Sequence, residues 1–323
     1  MTFTEYYHKL INSILDTGVW RDDPNRKGHK RKQIPFTEIT HNLKNGFPAI
    51  TTKPLYWKGV VVELLWFLKG DTNIKYLLDN NVHIWSKDAQ NYCKKQIGKK
   101  FPEFGDLGKV YGAQWRGFSK EKKTKGVDQI TNLIHTLRTN PLSSSMIVNS
   151  WNPAELNQMA LPPCHYSFQV SCEPFNPIEY DSVGFVDKGT VKYYLDLQFN
   201  MRSSDVMLGL PFNMASYALL AEILAKMCNM VPRYVKYNGQ NIHLYDNQIK
   251  SAKEQLKRNN CSDIPQRFYS EPVLKLPELP NIVWSTGSID DLLKAVTPAN
   301  FKLVGYRHHP TLNNKLEMLS YNK

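Results

Sequence analysis

The sequence predicts an α+β fold in a single domain spanning residues 1–323, and three observations carry that prediction. Segments with apolar residues at helical spacing recur from Thr4 onward. Short runs rich in aromatic and β-branched residues gather in the middle of the chain, and no repeat, low-complexity tract or linker divides it. At 323 residues and 41% hydrophobic content, the chain can bury one large core or two smaller ones.

Taken in order, Thr4 to Asp16 reads as a helix, and Gly59 to Leu68 as a strongly apolar helix interrupted only by Glu63. An acid there is either an edge residue finding water or a cap, or a buried carboxyl with a raised pKa suited to proton transfer; composition leaves both open. Asp128 to Thr139 reads as an amphipathic helix and Met146 to Trp151 as a strand. Tyr166 to Cys172 and Tyr193 to Met201 read as two more strands. The last two flank a loop from Glu173 to Gly189 that carries Pro174, Pro177, Gly184 and Gly189. Pro211-Phe212-Asn213 precedes an apolar helix from Ala215 to Met227. A strand and turn at Tyr234 to Asn241 follow, then His243-Leu244-Tyr245.

The formal charge of +12 implies an anionic partner. Lysine and arginine concentrate in Arg26 to Lys32, Lys94 to Lys100 and Lys120 to Lys125, segments that otherwise read as solvated loops. These runs interleave almost no aromatics, so a small polyanion in a pocket fits better than a nucleic acid. Five cysteines, at 93, 164, 172, 228 and 261, lack paired spacing, which argues against a disulfide framework and a two-by-two zinc site. No His, Cys or carboxylate cluster has ligand spacing, so no metal is expected. With no signal peptide or spanning apolar stretch either, a cytoplasmic protein without a membrane partner is expected.

Leu161-Pro162-Pro163-Cys164-His165 places a cysteine after two backbone-stiffening prolines and before an imidazole. This setting suits the presentation of a thiolate, which makes Cys164 the candidate nucleophile.

That segment, Arg202-Ser203-Ser204-Asp205 leading through Leu208-Gly209-Leu210-Pro211-Phe212-Asn213 to Ala215-Ser216-Tyr217, and His243-Leu244-Tyr245 resemble the signature blocks of the thymidylate synthase family. The resemblance extends upstream through Asn45 to Pro48, Thr51-Thr52-Lys53, Glu63 to Leu68, Gly70 to Asn73, Gly105 to Gly108 and Tyr111-Gly112 to Trp115-Arg116. It implies a twisted mixed sheet packed with helices, and a homodimer joined sheet to sheet with the active site at the interface. The implied substrates are a deoxyuridine nucleotide and 5,10-methylenetetrahydrofolate. Cys164 would add to carbon 6 of uracil, turning carbon 5 into the nucleophile that accepts the one-carbon unit. Arg202 would face the cysteine and hold phosphate, and Glu63 would move protons around the pyrimidine O4. Tyr111 would lie near the departing carbon 5 proton, and His165 in the polar network near the base. Asn213, with donor and acceptor, would choose uracil over cytosine. Arg26 and Ser203 match phosphate ligands, with Asn25 where the family usually has aspartate. His243 and Tyr245 match ligands of the sugar 3′-hydroxyl, and Gln169 is placed among the substrate ligands. Trp85, Asp205, Gly209 and Phe212 are placed with the folate.

Four departures accompany the matches. Ser144-Ser145 stands where the family carries two arginines donated across the dimer to substrate phosphate. The tail from Thr311 to Lys323 lacks the short Pro-containing apolar segment that closes over folate. Ser86 follows Trp85 where synthases have aspartate, and Met201 stands where they have glutamine. An open site would admit water instead of hydride to the reactive methylene. The departures therefore direct the expectation toward a phage-type deoxyuridylate hydroxymethylase. Thymidylate synthase is the alternative, and an inactive scaffold that binds nucleic acid a third reading.

Overall fold

The computed structural model describes residues 1–24, 26–96, 104–119, 126–176, 190–258, 271–314 and 316. In chain order the elements are α1 (Phe3–Thr17), β1 (Val19–Asp22), β2 (Lys30–Asn42), α2 (Trp57–Leu68), α3 (Lys75–Asp79), α4 (Ser86–Gln96), α5 (Tyr111–Gly117) and α6 (Gln129–Thr139). Then come β3 (Ile147–Asn149), β4 (His165–Pro174), β5 (Tyr193–Met201), β6 (Ser204–Asp205), α7 (Gly209–Met227), β7 (Val231–Tyr245) and α8 (Ile249–Lys257). The last are β8 (Val273–Lys275), α9 (Asn281–Ser285), α10 (Ile289–Ala295) and β9 (Lys302–Val304).

Seven strands form one mixed sheet in the order β1-β2-β7-β5-β4-β3, with β6 also paired to β7. β5 and β7 run parallel, while β2 with β7 and β4 with β5 are antiparallel. Parallel neighbours need a crossover, and α7 supplies it between β5 and β7. Fourteen of the helix's nineteen residues are buried, which suits a helix sandwiched between the sheet and α2 rather than one facing water. Along β5, alternate residues Leu195, Leu197, Phe199 and Met201 enter the core, and Asp196, Gln198 and Asn200 face away from it. The core-side residues of the sheet, α1, α2, α5, α6 and α7 join in one apolar cluster.

α1 begins with a reciprocal cap, in which Thr2 accepts from Glu5 N–H and Glu5 accepts from Thr2 N–H at 2.8 Å. The predicted helices and strands at Thr4–Asp16, Gly59–Leu68, Asp128–Thr139, Met146–Trp151, Tyr166–Cys172 and Tyr193–Met201 correspond to α1, α2, α6, β3, β4 and β5.

Three expectations change. The helix expected from Ala215 starts at Gly209, because Pro211 falls in its first turn, where a missing N–H costs nothing. The strand and turn expected at Tyr234 to Asn241 form the middle of one 15-residue strand. Asn241 takes φ 47° opposite Pro35 of β2, where the proline cannot donate to the ladder, and the strand continues past the irregularity. The basic runs are not all loop: Lys30 to Lys32 open the 13-residue β2, and Lys94 and Lys95 close α4. Residues 97–100, 120–125 and 177–189, and Cys261, lie outside the described residues.

The first part of the C-terminal tail is docked. Arg258, the residue that caps α8, donates to the carbonyls of Pro310 at 2.5 Å and Thr311 at 3.0 Å, and Glu254 of α8 accepts from Asn313 N–H at 3.1 Å. Leu312 and Leu316 pack against the core. Among the described residues, no helix is long and apolar enough to cross a membrane.

Candidate active site

Cys164 ends the stiff Pro162-Pro163 segment immediately before β4, and backbone and side-chain contacts fix it from two sides. Its N–H donates to the Tyr111 hydroxyl at 2.8 Å, and its carbonyl accepts from Arg202 N–H at 2.9 Å. The Arg202 guanidinium donates to the carbonyls of Pro163 and Pro162, both at 2.8 Å, and sets Nη2 3.9 Å from Cys164 Sγ. Burial pushes the thiol's pKa up, and the charges of Arg202 and Arg26 offset this only in part. Arg202 thus favours ionisation, while burial keeps Cys164 as a thiol.

Below it lies an aromatic stack. The ring of Tyr111, at the first position of α5, lies 4.0 Å from that of His165 at an angle of 12°, and His165 Nδ1 shares a 2.8 Å hydrogen bond with the Tyr217 hydroxyl. Burial lowers the His165 pKa to about 3, so the imidazole is neutral near pH 7 and serves as a hydrogen-bonding group. Burial likewise keeps the Tyr111 phenol protonated, its pKa well above the ordinary value.

Glu63 of α2 settles the question that composition left open. Its side chain is buried, and burial raises its pKa to about 7 against the opposing effect of one hydrogen bond, from Trp85 Nε1 at 2.6 Å. Trp85, expected beside the folate, therefore commits its N–H to this carboxyl.

These groups line one cavity of about 310 Å³. Cys164, His165, Tyr111, Glu63, Trp85, Gly209, Phe212 and Asn213 are predicted site residues that meet there, with Ile50, Pro54, Leu55, Ile84 and Leu161 among the other walls. Two charged residues that line it had no role in the sequence reading. Lys53 is buried, donates to the Met207 carbonyl at 2.5 Å, and has its pKa lowered to about 8 by burial. Asp88, in the first turn of α4, has its pKa raised by burial despite Arg26. Lys53 lies inside a recognised block, Thr51-Thr52-Lys53, and that was its one signal; Asp88 had none.

The remaining predicted residues lie apart from the cavity walls. Arg26, His243 and Tyr245 gather at the end of the sheet, where the Arg26 guanidinium sits 5.0 Å over the Tyr245 ring. Asp205 accepts from the N–H groups of Met207 and Leu208 at 2.9 and 3.1 Å and from Gln248 Nε2 at 2.9 Å, which fixes the entry to α7. Gln169 projects from β4 beside β3, where Nε2 donates to the Ser144 carbonyl at 3.4 Å. Ser203 is half-buried in the turn after β5, and Ser144 and Ser145 are exposed. Asn25 lies outside the described residues. Among the described residues, no three His, Cys, Asp or Glu side chains are grouped to hold a metal ion.

A cysteine, a high-pKa carboxyl and a tyrosine thus share one cavity, and the comparison of the whole chain agrees with the family the signature blocks suggested. The chain belongs to the thymidylate synthase family, whose profile matches residues 5–318. It is 41% identical over 269 residues to the thymidylate synthase of Mesoplasma florum, covering 78% of this chain and 85% of the relative. It is 38% identical to that of Buchnera aphidicola and 37% identical to that of Enterobacteria phage T4, in both cases covering 96% of this chain and 98% of the relative.

Proposed function

We propose that the protein is a thymidylate synthase, converting deoxyuridine monophosphate and methylenetetrahydrofolate into thymidylate and dihydrofolate. The observation that carries this reading is the convergence of Cys164, Tyr111 and Glu63 on one cavity, with the Arg202 charge 3.9 Å from the thiol. Cys164 Sγ attacks carbon 6 of the ring. Its proton passes to solvent, and the Arg202 charge stabilises the thiolate that attacks. The Asn213 amide pairs with N3–H and O4, which places carbon 6 at the sulfur. Glu63, titrating near 7, can donate toward O4 as the enolate forms and later take a proton back. Tyr111, kept neutral and fixed by the Cys164 N–H, stands beside the leaving carbon 5 proton. Folate supplies the methylene to carbon 5; once the carbon 5 proton has passed to water and tetrahydrofolate has left the methylene, hydride from that folate reduces it as Cys164 Sγ departs from carbon 6. The apolar wall of Ile50, Leu55, Ile84 and Phe212 suits the flat ring of folate, and Lys53 adds a cation.

The chain acts as a single catalytic domain. The outward-facing row of Asp196, Gln198 and Asn200 on β5, with Asn238 on β7, offers the face on which a second copy would pack to form the homodimer. Asn238 Nδ2 and Gln198 Nε2 both donate to Asn200 Oδ1 at 3.3 Å, so this polar face is already ordered for such a contact.

The hydroxymethylase outcome favoured by the sequence is the second reading. Ser86 supports it: its buried hydroxyl has no hydrogen-bond partner and would accept a water close to Trp85. Against it stands the similarity to known proteins. Relatives matched over nearly their whole length are named synthases. Product analysis with purified protein, deoxyuridine monophosphate and methylenetetrahydrofolate separates the readings. Thymidylate with dihydrofolate is expected; hydroxymethyldeoxyuridylate with tetrahydrofolate would overturn the proposal.

A further inference from the structure

At the end of the sheet next to the cavity, one buried carboxylate organises two guanidinium groups. Asp23 Oδ2 lies 3.7 Å from Arg26 Nη1 and 3.7 Å from Arg31 Nη1, and it accepts a hydrogen bond from the Tyr245 hydroxyl at 3.2 Å. Both guanidinium groups stand at the long end of ion-pair distance from this carboxylate, where the oxygens of a ligand anion can compete for them.

Arg31 stands directly opposite Tyr245 in the antiparallel ladder, and Gln33 opposite His243, so all four side chains share one face of the sheet. On that face Arg31 Nε, Gln33 Oε1 and His243 Nε2 are buried and have no hydrogen-bond partner. Such a row of unmet polar atoms is costly unless a ligand answers it. A short polar chain joins this face to the thiol: Gln33 Nε2 donates to Asn241 Oδ1 at 3.3 Å, Asn241 Nδ2 donates to the Arg202 carbonyl at 2.8 Å, and Arg202 Nη2 lies 3.9 Å from Cys164 Sγ.

We infer that Arg31, paired with Arg26, binds the 5′-phosphate of the nucleotide whose ring lies against Cys164, and that it supplies from the same chain the cationic contact that Ser144-Ser145 cannot give. The inference rests on the reading that a uracil nucleotide is the substrate. Arg31 is a binding residue on this view, remote from the bonds that change. Its guanidinium is held by a 3.7 Å ion pair, so turning it onto a phosphate oxygen breaks no short hydrogen bond.

The test compares equilibrium binding of deoxyuridine monophosphate and of deoxyuridine, without folate, to the full chain and to Arg31→Gln and Arg31→Lys. For Arg31→Gln, monophosphate affinity is expected to fall about 10- to 100-fold while deoxyuridine affinity stays within about twofold. Arg31→Lys should recover part of the loss, since it restores charge without the fork. In turnover, KM for the monophosphate should rise by a similar factor with kcat little changed. Equal losses for nucleotide and nucleoside would show that Arg31 only supports the fold, and unchanged monophosphate binding would show that the phosphate lies elsewhere; either result overturns the inference. If the unaltered protein did not bind deoxyuridine monophosphate, the proposed function itself would fail and take this inference with it.

Discussion

Glu63 and Glu271 are two buried carboxyls that the fold treats alike in one respect. Burial raises the pKa of each to about 7. Their surroundings differ. Glu63 faces the cavity with Cys164 and takes one hydrogen bond, from Trp85. Glu271 is sealed in a seam between the start of α1 and the turn after β2: Oε1 accepts from Phe3 N–H at 2.6 Å, and Oε2 lies 3.5 Å from His41 Nε2. A raised pKa thus marks desolvation, and only access to a cavity turns desolvation into chemistry.

Substitution should separate the two most sharply in turnover. Glu63→Gln removes the proton-transferring group and is expected to lower kcat by roughly 10²- to 10⁴-fold, whereas Glu271→Gln should leave kcat within about twofold. Steady-state kinetics on both variants checks this, and a large loss in Glu271→Gln would break the contrast.

Stability should unite them. Each carboxyl titrates near 7 when folded and near its ordinary value of 4.5 when unfolded, so the folded state holds a proton that the unfolded state releases between these values. The contribution is fully present below about 4.5 and is lost as pH rises toward about 7, a change on the order of 3 kcal/mol per group. Denaturant melts at pH 5 and pH 8 should show either glutamine variant gaining on the unaltered protein at the higher pH.

A smaller effect tests the seam alone. Gly46 has φ 115°, and a Cβ there would come within 2.7 Å of Glu271 Cβ, so Gly46→Ala should cost about 2 kcal/mol without touching KM or kcat. Smallest is Trp85→Phe. The indole N–H lowers the Glu63 pKa, so its loss should move the limb of the pH–rate profile that reports Glu63 to higher pH, by about one unit. A limb that stayed in place would detach Trp85 from Glu63.

The same contrast shows what the sequence could reveal. Glu63 was visible because a lone acid interrupts an apolar helix, and Cys164, Arg202 and Asn213 because each sits in a recognisable block. Glu271 carries no such signal, since its burial comes from packing between segments far apart in the chain. Arg31 was hidden for another reason: β2 spends much of its length at the solvated side of the sheet, so its charged residues read as loop. The start of α7 was misplaced because Pro211 looks like a break when its position in the helix is unknown.

The central claim is that Cys164 attacks the pyrimidine ring, and peptide mass spectrometry of protein quenched during turnover tests it most directly. With deoxyuridine monophosphate and methylenetetrahydrofolate, the peptide containing Leu161 to His165 should carry the nucleotide on Cys164, and Cys164→Ala should show neither adduct nor product. Thymidylate formed by Cys164→Ala, or an adduct on a different residue, would contradict the account.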